Sequence, residues 1–151
     1  MTNIDVERLI AFWEQRIPFN VFLGMRVTEF GDGHAEMMIP IRPELIGDPD
    51  RPALHGGVVS TLADTVGGLA VFTQIGRDRI ASTLDLRVDY LRPGAIDHDI
   101  YARATVVRAG NRVAATHTVI FQSDVDKPIA TANAVYNVVT RKLTPHTSSA
   151  P

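Results

Sequence analysis

Leu54-His55-Gly56-Gly57-Val58-Val59-Ser60-Thr61-Leu62-Ala63-Asp64-Thr65 decides how this chain is read. A glycine pair opens a stretch that is otherwise apolar, and one carboxylate follows about two helical turns in. Apolar residues continue to Ile75 with Gly76 behind them, so the spacing predicts a long helix from about Gly57 to Ile75. Gly56 and Gly57 let backbone approach a ligand closely. A helix start presents free N–H groups at the positive end of its dipole, where they can polarise a carbonyl oxygen. Asp64 is the only charged residue between Arg51 and Arg77. A carboxylate on a mostly buried helix is costly unless it is paired or used. The combination reads as an electrophile-activating helix end together with a general base or nucleophile.

Asp64 lies eight residues beyond Gly56, about 12 Å along one helix. That is too far for both to touch one substrate carbonyl. Two antiparallel copies of the helix would bring the glycine end of one chain near the aspartate of the other, so the spacing predicts a site shared across a symmetric dimer.

Outward from the helix, Asp5 to Arg16 carries Val6, Leu9, Ile10 and Trp13 at helical spacing, with Pro18 as its stop. Gly24 to Phe30 and His34 to Ile41 read as strands joined by Gly31-Asp32-Gly33. A loop rich in proline and aspartate runs from Arg42 to Pro52. Beyond the helix, four alternating segments follow. Leu84, Leu86, Val88 and Tyr90 share one face, with Thr83, Asp85, Arg87 and Asp89 on the other; Ile100, Ala102, Ala104 and Val106 form the next apolar face. Val113, Ala115, Val119 and Phe121 are expected to continue it, with His117 in that register as a hydrogen-bonded core or interface residue. Ala130, Ala132, Ala134, Tyr136 and Val138 complete the set. Such alternation predicts an antiparallel sheet covered on one side, and the alanines leave room for the long helix to lie close. The fold class is therefore α+β, a curved antiparallel sheet wrapped around one central helix. An N-terminal helix occupies 1–18, the main domain 19–141, and a tail at 142–151, rich in Thr, Ser and Pro, reads as disordered.

With 151 residues, 45% hydrophobic and 21% charged, the composition is that of one soluble globular domain. A net charge of −2 lacks the basic footprint of a nucleic-acid binder. Without cysteine there is no disulfide and no thiolate chemistry. The N-terminus has no signal-peptide pattern, and no run is expected to reach membrane-spanning length, so a cytoplasmic protein away from membranes is expected. No second histidine sits at ligand spacing from His55, so no metal is expected. Ser60 and Thr61 lack the Gly-x-Ser-x-Gly elbow of a serine hydrolase.

The element order, with His55-Gly56-Gly57, Ala63-Asp64-Thr65 and the segment Asp85 to Pro93, resembles the hotdog-fold acyl-CoA thioesterases of the phenylacetate-pathway (PaaI-like) type. The resemblance covers roughly Phe19 to Arg141. It implies that Asp64 is the catalytic carboxylate, that the Gly56 N–H polarises the thioester carbonyl, and that Thr83 positions the water or the carboxylate. His55 would fix the loop, with Gly57 beside the substrate. The family commonly has Asn or Gln in the loop before the histidine; here that loop offers Asp48 and Asp50, either of which could orient His55 or contact substrate. The implied substrate is an acyl- or aryl-CoA thioester, with coenzyme A as part of the substrate and no separate cofactor. The implied assembly is a homodimer, often doubled to a homotetramer. Guanidinium groups bind phosphates well, so Arg92 at a strand end and Asn111-Arg112 at a turn are candidates for the nucleotide. A non-catalytic acyl-CoA-binding protein of the same fold is the alternative.

Overall fold

The computed structural model describes residues 3–76 and 78–140; the tail at 142–151 lies outside them. Three short helical pieces open the chain: α1 (Asn3–Ala11), a π-helical turn (Phe12–Arg16) and α2 (Pro18–Leu23). Pro18 ends the first run, as expected, and also begins a second helix that the apolar spacing does not announce. Its missing N–H and fixed φ suit a first helical position. Gly24, expected to start a strand, instead caps α2 in the left-handed region at φ 68°.

Strands β1 (Arg26–Gly31) and β2 (His34–Ile39) form a hairpin. The loop expected at 42–52 contains a 3-10 turn (Pro43–Leu45) and a small ribbon of β3 (Ile46–Asp48) with β4 (Ala53–Leu54). Then comes α3 (Gly56–Ile75), followed by β5 (Arg79–Tyr90), β6 (Ile100–Ala109), β7 (Val113–Phe121) and β8 (Ala130–Thr140). The main sheet is antiparallel in the order β1-β2-β6-β7-β8-β5. One face packs on α3, whose Val59, Leu62, Ala63, Val66, Leu69 and Ala70 are buried among Ala102, Ala104, Ala130 and Ala132 of the sheet. Apolar residues on nearly every side make α3 an enclosed helix. At 20 residues it does reach the length of a membrane span, contrary to expectation, but here the sheet curls around it as a core helix.

Two strands depart from the expected facing. On β7 the inward residues are Ala114, Thr116, Thr118 and Ile120, not Val113, Ala115, Val119 and Phe121. Register explains this: Ile120 and Thr118 stand opposite Ala102 and Ala104 on β6, while Thr118 and Thr116 stand opposite Ala132 and Ala134 on β8. Directly opposed residues share a face, so both neighbours force this parity. His117 therefore lies on the outer face, Nδ1 at 3.1 Å from Asn133 Oδ1.

On β5 a bulge falls between Thr83 and Asp85. Leu84 is the extra residue and is 63% exposed instead of inward. An extra residue resets the two-residue alternation. As a result, Thr83, expected on the polar face with Asp85, Arg87 and Asp89, shares the helix-facing side with Leu86 and Val88.

Candidate functional site

The β3–β4 ribbon delivers the chain to α3 through His55, which is extended and caps the helix: its Nδ1 accepts from the Gly57 N–H at 2.9 Å. That fixes the neutral ring with its proton on Nε2. The His55 N–H donates to the Leu45 carbonyl at 2.8 Å, and the Val58 N–H to the His55 carbonyl at 3.0 Å. Gly47 passes so close that a Cβ there would stand 2.7 Å from His55 Cα. Gly47 is thus a site-shaping residue the sequence reading missed, legible only once the ribbon is seen.

Tyr90, at the end of β5, donates its hydroxyl to the Gly56 carbonyl at 2.9 Å and lays its ring against Gly56. Both peptide units flanking Gly56 are therefore held. Among the described residues the Gly56 N–H itself has no hydrogen-bond acceptor. A fixed, unspent donor at a helix tip is suited to an oxygen that gains negative charge.

One face further along α3, Asp64 is half-buried, and Thr83 Oγ1 donates to its Oδ1 at 2.8 Å. The bulge at Leu84 makes this contact possible by turning Thr83 toward the helix. This charge-assisted hydrogen bond favours one carboxylate rotamer, although its exposure to solvent keeps its contribution to stability small. The Tyr136 hydroxyl donates to the Asp64 main-chain carbonyl at 2.9 Å. Gly56 and Asp64 stay eight residues apart on one straight helix, about 12 Å, so a single chain does not bring them to one reacting atom.

The remaining candidates divide. Arg92 lines the same pocket as Gly56, about 380 Å³ with Leu54, Val59 and Tyr90. Asn111 and Arg112 lie at the β6–β7 turn beside a separate pocket of about 430 Å³, at the opposite end of the sheet. Their main-chain carbonyls accept from Arg79 and from the Val138 N–H. Asp48 is occupied within its own turn, accepting from the Asp50 and Arg51 N–H groups at 3.0 and 3.1 Å and from Arg51 Nε at 3.0 Å. The Arg51 amide, then that of Asp50, holds its carboxyl below the usual carboxylate range. Asp48 thus braces the loop and has no hydrogen bond to His55.

The sheet wrapped on one helix that carries these groups has counterparts among solved structures. Residues 52–129 match the family model described as the thioesterase superfamily. The chain belongs to the thioesterase superfamily. Its hotdog fold and its resemblance to thioesterases follow from that membership. The medium/long-chain acyl-CoA thioesterase YigI of Escherichia coli (strain K12) is 33% identical, over 81% of this chain and 86% of its own. A solved thioesterase-superfamily protein aligns with a TM-score of 0.78 at 33% identity, covering 86% of this chain and 96% of that one. A variant of the phenylacetic acid degradation protein PaaI from Thermus thermophilus aligns at 0.70 with 28% identity, covering 80% and 97%. The matched segment opens just ahead of Gly56 and runs past Asp64, Thr83 and Tyr90 to Ile129, so it contains the helix tip, the acid and the strand that touches both.

Proposed function

We propose that the protein hydrolyses acyl-CoA thioesters at a site completed by two copies of the chain. One observation carries this reading: Gly56 and Asp64 are each hydrogen-bonded to a residue of the same strand, Tyr90 and Thr83 of β5, and among the described residues β5 is the last strand of the sheet, paired only with β8. An open edge of 12 residues invites a further strand. Antiparallel pairing of β5 with its symmetry mate would set the Gly56 tip of one copy against Asp64 of the partner subunit.

In that arrangement the thioester carbonyl accepts from the Gly56 N–H, and the tip dipole stabilises the oxyanion as it forms. Asp64 of the partner subunit removes a proton from water as the water oxygen bonds to the carbonyl carbon. The tetrahedral intermediate then breaks its C–S bond, and coenzyme A leaves as the thiol after taking the proton. Alternatively, an Asp64 oxygen attacks directly, expels the thiolate and forms a mixed anhydride that water opens. A single turnover in isotopically labelled water separates the routes: the first places the label in the product acid, whereas the second, with water opening the anhydride at the Asp64 carbonyl, leaves it in the Asp64 carboxylate. Arg92, in the pocket with Gly56, is the candidate for the coenzyme A phosphates on the Gly56 side. Asn111 and Arg112 come from the opposite sheet end and would reach it only from the second copy. The likeness to YigI supports a medium- or long-chain acyl group over an aryl one.

The test is turnover of a panel of acyl- and aryl-CoA thioesters by wild type and Asp64→Asn. We expect hydrolysis by wild type and a loss of at least ~10²-fold in the variant. Equal rates would remove Asp64 from the chemistry, and tight binding without turnover by wild type would make the protein an acyl-CoA sensor.

A further inference from the structure

Beneath Asp64 lies a second contact that the chemistry above does not use. Tyr136 is 1% exposed, yet its hydroxyl crosses from the sheet to the Asp64 main-chain carbonyl. A helical carbonyl has a lone pair beyond the one its own ladder uses, so the phenol adds a tether without breaking the helix. It reaches that far only because residue 67 is glycine. A Cβ there would collide with Tyr136 Oη and stand 3.0 Å from Thr116 Oγ1. Glycine inside a helix is disfavoured against alanine, and phenylalanine at 136 would remove the worst clash of an alanine at 67, leaving its Cβ 3.0 Å from Thr116 Oγ1 and 3.2 Å from the ring carbon Cζ. Volume alone therefore does not explain the pair.

Register adds the second half. Tyr136 on β8 stands directly opposite Thr83 on β5, the residue whose hydroxyl holds the Asp64 carboxylate. One cross-strand pair thus grips Asp64 twice, by main chain and by side chain. Burial, and after it the charge of Asp64, pushes ionisation of the phenol well above the ordinary tyrosine range, so it remains an O–H donor.

We infer that Tyr136, seated in the notch at Gly67, is a positioning residue that sets the height of α3 over the β5–β8 pair and so the reach of the Asp64 carboxylate. This rests on Asp64 being the base or nucleophile. Tyr136→Phe should lower kcat about tenfold, the scale of one hydrogen bond, with KM held within about twofold. Gly67→Ala alone should melt well below wild type, because its Cβ meets the hydroxyl. The double variant Gly67→Ala/Tyr136→Phe removes that hydroxyl but keeps the Thr116 contact, so its melting temperature should recover in part while kcat stays low. Wild-type kcat in Tyr136→Phe, or in the double variant, would overturn the inference. If Tyr136→Phe keeps full activity while Asp64→Asn is dead, only the positioning role fails. If Asp64→Asn matches wild type, or wild type turns over no thioester, both readings fail.

Discussion

Gly56 is the first residue of α3, a position that tolerates proline well because the N–H there has no helical partner. The residue before it, His55, already holds ψ at 129°, the extended value that a following proline favours. A Cβ at 56 would meet the Tyr90 ring at an ordinary 3.4 Å. Gly56→Pro therefore deletes one donor while leaving the helix able to form. If the Gly56 N–H is the oxyanion donor, kcat should fall about 10²–10³-fold with the melting temperature nearly unchanged. Steady-state kinetics beside a thermal melt would check this, and an active proline variant would shift the oxyanion role to another donor. Thr83→Val makes the complementary residue-scale change. It removes a hydrogen bond to a charge, and kcat should drop about tenfold or more, with little effect on stability because Thr83 is exposed. A loss confined to stability would argue that the hydroxyl only braces the strand.

The elements were legible in the sequence to very different degrees. The span of α3 was plain from its apolar run bounded by Gly56 and Gly76, and the β8 facing from alternate alanines. Asp64 stood out because nothing else charged lies near it in sequence. The facing of β7 was not legible, since Val113, Ala115 and Val119 look as inward as Thr116 and Thr118, and only pairing with β6 and β8 decides between them. The bulge on β5 hid in the same way: Leu84 continues a regular alternation on paper, and no local residue announces the extra count. In sequence Tyr90 and Tyr136 are indistinguishable from apolar strand positions, because their hydroxyl partners belong to a distant helix. The cap of α3 yields its own test. His55→Ala should cost about 1 kcal/mol by leaving the Gly57 N–H without its acceptor, whereas His55→Asn keeps an acceptor and should recover most of it. Urea melts of the two variants measure the difference, and equal stability would mean the ring contributes no cap.

At the scale of the whole molecule, the reading of a shared site makes a prediction that no single-chain site makes. Mixing inactive Asp64→Asn chains with inactive Gly56→Pro chains, after dissociation and reassociation, should yield hybrids in which one site has both intact parts. Random pairing makes about half of the dimers hybrid, so about a quarter of the wild-type rate should return. Each variant reassociated alone should stay silent. Silence in the mixture as well would place both groups within one chain.

In the proposed site both halves hang from the edge strand β5, through Tyr90 and Thr83. A thioester lodged between copies would touch both, and whatever binds the pair but not the separated chains pulls the equilibrium toward the pair. Substrate would then act as an adhesive. Dilute protein would fall silent not through unfolding but through solitude, and its own ligand would call it back into company.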